Sequence, residues 1–153
     1  MVGRARLGVG RGVSVGIVLA AVLFALAADA KSSPVALGEV KNRAAEGDVR
    51  VDRTFRSAVE AELRSLDLSN VHPSERYVLS ATLTKMDVKS RKRQAESTAV
   101  VSATLRSARG GALRAIIEGR AKAVEDGESA SVKESAVRGA VRSAFRRVPE
   151  ALR

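Results

Sequence analysis

The sequence predicts an α/β (α+β) two-layer sandwich: a four-stranded mixed sheet with two helices on one face, in the order β-α-β-β-β-α, preceded by a signal-peptide helix. Three observations carry the folded part. Three segments between residues 77 and 120 alternate apolar and polar residues with a period of two, as strands with one covered face do. Two further segments, near residues 53–66 and 131–148, repeat apolar residues at steps of three and four, the spacing of one helix face. A short apolar run, Val35 to Val40, precedes the first of these, and a strand–helix–strand order implies a right-handed parallel crossover.

The first thirty residues read as an export signal. Arg4, Arg6 and Arg11 carry positive charge with no acid among them. Residues 12–28 then run without a charge, and Ala28-Asp29-Ala30 follows. A basic region, an apolar region and a small-x-small site describe a secretory signal peptide, cut after Ala30, or after Ala27 as the second choice. The alternative is an uncleaved inner-membrane anchor at residues 12–28, which is short for a span of ~20 residues. Cleavage leaves a periplasmic or secreted chain, and membrane contact is then limited to the signal segment before its removal. Residues 31–34 form a tether, and residues 35–153 a single domain.

Within that domain, Asn42 to Asp48 is polar, contains Gly47 and reads as a loop. Asp52 is the expected N-cap of a helix from Arg53 to about Leu66, with Phe55, Val59, Leu63 and Leu66 on one stripe. Pro73 bars helical continuation before the first long strand. The expected strands place Tyr77, Leu79, Ala81 and Leu83 in phase, then Ala99, Val101, Ala103 and Leu105, then Leu113, Ala115, Ile117 and Gly119. Residues 89–94 read as a basic hairpin loop, and residues 108–111 as a glycine turn. Ser131-x-x-Glu134 reads as the capping box of a last helix that Pro149 ends. Phe55, Val59, Leu63, Val137, Val141 and Phe145 are expected to pack on Leu79, Ala81, Val101, Leu105, Leu113 and Ile117.

Composition narrows the chemistry. The chain has 153 residues, 27 Lys+Arg against 17 Asp+Glu, one His, no Cys and 3% aromatics. Without cysteine there is no disulfide framework, thiol nucleophile, cysteine-bound zinc or acylated cysteine. One histidine cannot supply a His₂ or His₃ metal site. Gly8-x-Gly10-x-Gly12 follows no strand and is not a phosphate loop. His72 reads as a solvated loop residue, because a catalytic base needs an oriented partner. Ser131 reads as a cap, with no nucleophile elbow around it. Glu125-Asp126-x-Glu128 lacks the alternating ligands of a calcium loop and reads as an acidic turn facing the last helix dipole. The expectation is no enzyme, no cofactor and no resident metal.

Two contact surfaces remain. Lys89, Arg91, Lys92 and Arg93 place four cations in five residues, a candidate contact for phosphate, anionic lipid or acidic glycan. No aromatic lies beside them to stack a base, which disfavours nucleic acid. Val78, Val100 and Ile116 fall on the sheet face opposite the helices and form a candidate apolar contact for a protein.

The wording RYVLSATLTKMDV, ESTAVVSATLRSARGGALRAIIEGRA and SAVRGAVRSAFRRV, behind an export signal, resembles small exported bacterial envelope proteins. These include the N-terminal domain of the Tol translocation beta-propeller protein, curli-secretion lipoproteins and penicillin-binding-protein activators. The resemblance covers Val35 to Val148. It implies a non-catalytic accessory module of the cell envelope that binds an envelope protein, and it carries over no site residue. The alternative is a polyanion- or nucleic-acid-binding protein using the hairpin at 89–93; an enzyme is the third reading.

Overall fold

The computed structural model describes residues 33–72, 74–91, 93–126 and 129–153. The signal-peptide expectation, with Ala28 and Ala30, lies outside the described residues, as do Lys92 and Glu128. The elements are β1 (Val35–Asn42), α1 (Val49–Ser65), β2 (Tyr77–Arg91), β3 (Gln94–Ser107), β4 (Leu113–Asp126), α2 (Ser129–Phe145) and α3 (Val148–Ala151). The sheet order is β1-β2-β3-β4, with β1 parallel to β2 and the other pairs antiparallel. The fold class and element order are those expected, with α3 added at the end.

The strands outrun the alternation that announced them. β2 continues to Arg91 because a bulge between Leu83 and Lys85 inserts one residue and reverses the pleat. Past the bulge Met86 pairs with Ala99 and Val88 with Ser97, so these residues take the helix-side positions. In the sequence the period breaks at Thr84, where the expected strand stopped. Lys89 and Arg91 therefore lie in a strand, not in the basic loop expected for residues 89–94. Glu125 and Asp126 likewise end β4 instead of forming a turn.

The helix starts also move. Asp48, not Asp52, caps α1: its carboxylate accepts the Val51 amide at 3.2 Å. Gly47 enters the cap at φ +86, a left-handed conformation that costs glycine little. Asn42 organises the approach, its side-chain oxygen accepting the Ala44 and Ala45 amides at 3.1 and 2.9 Å. In α2, Ser131 lies inside the first turn and not at the cap. Glu134 faces outward to Arg138 at 3.3 Å and Arg50 at 3.6 Å. Pro149 opens α3, which seats Val148 and Leu152 in the core.

The helices cover one face of the sheet. α2 lies across β3 and β4, and α1 packs on α2 and β1. Phe55, Val59, Val137, Val141 and Phe145 join Leu79, Ala81, Val101, Leu105 and Ile117 in one core, with Leu63 half-buried at its margin. Leu113 does not join them; it is 52% exposed. A second bulge, between Leu105 and Arg106, pairs Leu113 with Arg106 and moves it to the open face. Side-chain absence sets the helix–sheet distance. A Cβ on Gly119 would stand 2.2 Å from the Ala140 carbonyl oxygen and 2.4 Å from the Ala144 nitrogen. Arg142 and Glu62, 3.2 Å apart, tie α2 to α1 at the surface.

Candidate functional site: the open face of the sheet

The face opposite the helices is a row-by-row surface set by register. Val78 lies beside Arg106, and Arg106 beside Leu113. Thr104 stands one step along, next to Ile116. Further on, Val100 sits between Lys85 and Arg120. All three of the aliphatics expected on this face are there, but they do not form one spot. Val78 and Val100 are separated by three such steps, ~20 Å at the usual strand rise. Val100 is only 9% exposed between its two long cationic neighbours, whose alkyl stems can cover it. Ile116, at 65% exposure, instead adjoins Leu113, and together with Val78 these make the apolar end of the face.

That end is rimmed by arginines from separate parts of the chain. A groove of about 340 Å³ is lined by Arg76, Arg109 and Arg114 with Tyr77 and Leu113. Arg114 Nε donates to the Ala151 carbonyl at 3.3 Å, which fixes its base against α3. Arg106 Nη1 donates to the Gly111 carbonyl at 3.2 Å. The turn that gathers them closes with Ser107 donating its amide to Ala112 at 2.8 Å, and Gly110 and Gly111 take positive φ. Tyr77 donates its hydroxyl to Glu75 at 3.0 Å; burial first, then the Glu75 carboxylate, raise its pKa above the ordinary 10.0. The sequence reading missed this end. Leu113 was hidden by a bulge with no sequence signal, but Arg106, Arg109 and Arg114 flank one turn, which was enough to bring them together.

The basic hairpin has a different character from the one its sequence suggests. Lys89 pairs with Glu96 in register, and Arg91 with Gln94, which itself pairs with Asp126 on β4. Lys122 meets Glu96 at 3.0 Å, and Lys85 meets Asp87 at 3.1 Å. Strand pairing thus sets Glu96, from across the hairpin, and Asp126, from β4, beside this run. Lys89, Gln94, Glu96 and Val124 line a shallow depression, and Arg93 stands in the turn. On the other side of the sheet, hydrogen bonds from Ser131 and Ser135 hold the Glu125 carboxyl below its ordinary range, with Ser135 Oγ at 2.7 Å. Glu125 thus faces the first turn of α2, as an acid near the positive end of a helix should. His72 is exposed, its Nδ1 2.7 Å from Ser74 Oγ. No helix among the described residues is long and apolar enough to cross a membrane.

No family model matches the chain, and no curated protein matches it. Solved structures do. The hypothetical protein CT253 from Chlamydia trachomatis is 12% identical with a TM-score of 0.53, over 77% of this chain and 96% of that one. It shares the fold. Weaker likenesses include the PelC dodecamer from Paraburkholderia phytofirmans, at 17% identity and TM-score 0.45, covering 82% of this chain and 91% of that one. Lipoprotein GNA1162 from Neisseria meningitidis is 14% identical at TM-score 0.39, covering 60% of this chain and 82% of that one.

Proposed function

We propose that the chain is an exported, non-catalytic accessory module of the bacterial cell envelope that binds an envelope protein through the open face of its sheet. The observation that carries this is the exposed pair Leu113 and Ile116 beside Val78, on a face that no helix among the described residues covers, with Arg106 in the same row and Arg76 and Arg109 at its end. Apolar side chains at the centre of a charged rim suit a partner that buries the former and offers carboxylates to the latter. Export rests on the basic, apolar and Ala-x-Ala order of residues 1–30. The basic hairpin is an accessory at most, because Asp87, Glu96 and Asp126 are interleaved with its cations. A pull-down from the envelope fraction of the native host tests the reading. Val78→Thr/Leu113→Thr/Ile116→Thr should release the partner, while changing Lys89, Arg91, Lys92 and Arg93 to Gln should not. The reverse pattern favours the polyanion reading. Turnover of an envelope substrate by purified protein, with neither set mattering, favours an enzyme.

A further inference from the structure

We infer that β4 is a self-recognition edge, which pairs antiparallel with β4 of a second copy about a two-fold axis at Arg120. This uses the edge of the sheet and shares only Ile116 with the face proposed above, so the experiment below leaves that residue unchanged. Among the described residues β4 is an outermost strand of 14 residues, bonded to β3 along one side only. Its other side offers main-chain donors and acceptors to an added strand. The opposite edge is poorer, because β1 has eight residues and an irregular register between Leu37 and Val40.

The side chains along β4 complement one another on reversal. From the open face they are Ile116, Glu118, Arg120, Lys122 and Val124. Reversal about Arg120 sets Ile116 opposite Val124 of the second copy and Glu118 opposite Lys122. Ile116 and Val124 are 65% and 52% exposed, and each would cover the other. Lys122 already holds Glu96 at 3.0 Å, so the added Glu118 extends an ion-pair row across the seam. Arg120 faces its own copy, with Glu118 of the second copy on the diagonal, within reach of a long side chain. A slip of two residues sets Ile116 against Lys122 or Asp126, so pairing favours one register. On the helix side, Gly119 meets Ala121. The part of α2 lying over β4 carries Ser135 and Gly139, with Ser143 one turn on. At Ser135 and Gly139 a neighbouring α2 therefore meets small side chains. The pairing is isologous and closes at two copies.

The chain has no cysteine, so single cysteines report the pairing cleanly. The full chain carrying Arg120→Cys, oxidised with copper phenanthroline, should form a disulfide dimer. Lys85→Cys, on an interior strand of the same face, should form at least tenfold less. A mixture of Glu118→Cys and Lys122→Cys should cross-link at least fivefold faster than either alone. In the Arg120→Cys background, Glu118→Lys should slow cross-linking about tenfold, and adding Lys122→Glu should restore it. Cross-linking of Arg120→Cys no faster than Lys85→Cys overturns the inference. So does Glu118→Cys alone matching the mixture, or a failure of the charge swap to restore the rate.

Discussion

Replacing Gly119 by Ala should unsettle the fold more than its one added methyl suggests. The new Cβ would lie 2.2 Å from the Ala140 oxygen, 2.4 Å from the Ala144 nitrogen and 2.7 Å from the Ala144 Cβ. Ordinary contact begins near 3.4 Å, so a shortfall of more than 1 Å must be relieved. Two of the three atoms are helix backbone and cannot rotate aside. The helix must lift from β4, and Val137, Val141 and Phe145 lift with it. Overpacking of a well-filled core costs roughly 1–3 kcal/mol, and a backbone obstacle puts this site at the upper end. Loss of glycine's freedom in the unfolded chain returns about 0.4–1 kcal/mol. A net loss of about 2 kcal/mol is expected, a drop of roughly 1 M in urea midpoint at an m-value of ~2 kcal/mol/M. Gly38→Ala is the comparison. Its Cβ would meet Ser80 Oγ at 2.5 Å and Val78 Cγ1 at 2.7 Å, side-chain atoms that can turn away. That change costs the 3.2 Å bond from the Glu39 amide to Ser80 Oγ and little else. Equal or greater stability of Gly119→Ala, or a larger loss at Gly38→Ala, would refute the packing described for α2 on β4.

Phe145→Ala should cost roughly 3–5 kcal/mol in the same denaturation assay, because the ring is fully buried between the helices and the sheet. Asp48→Ala should cost about 0.5–2 kcal/mol through loss of the α1 cap. The Asp48 carboxyl is held below its ordinary 3.8, first by the Val51 amide and then by Lys133 at 3.2 Å. Its contribution is therefore complete above pH 3.8 and fades as pH falls through the lower folded value. An acid titration of stability should show this fading in the wild type and less of it in Asp48→Asn. Ser97→Ala should be neutral or stabilising, since Ser97 Oγ is buried with no hydrogen-bond partner among the described residues; a loss above about 1 kcal/mol would reveal a partner for it.

The fold was legible where period and burial agree. Leu79, Ala81 and Leu83, or Val137, Val141 and Phe145, sit where alternation and helical spacing put them, because each is held by the large buried face that fixed register demands. The errors cluster where one inserted residue reverses a pleat. Alternation alone ends a strand at Thr84 and puts Leu113 in phase with the core, because neither bulge leaves a mark in composition. The α1 cap was misplaced by four residues because Asp48 and Asp52 are equally good caps in isolation. Only the Asn42 loop and the positive φ of Gly47 select the first. The basic hairpin misled in a different way. All the charges within residues 89–93 are positive, but pairing sets Glu96 opposite Lys89 and brings Asp126 from β4 beside Gln94. The arginine-rimmed end is the converse case, with Arg76 and Arg114 distant in sequence and adjacent in space.

Site-directed photo-cross-linking in living cells of the native host tests the central claim most directly. A photoreactive residue placed at Leu113, on the open face and clear of the β4 pairing segment, should form an adduct with one envelope protein. The same residue at Arg56, on the exposed side of α1, should form none. An adduct from Arg56 but not from Leu113, or no adduct from Leu113 in cells that contain the folded protein, would contradict the assignment of the open sheet face as the binding surface.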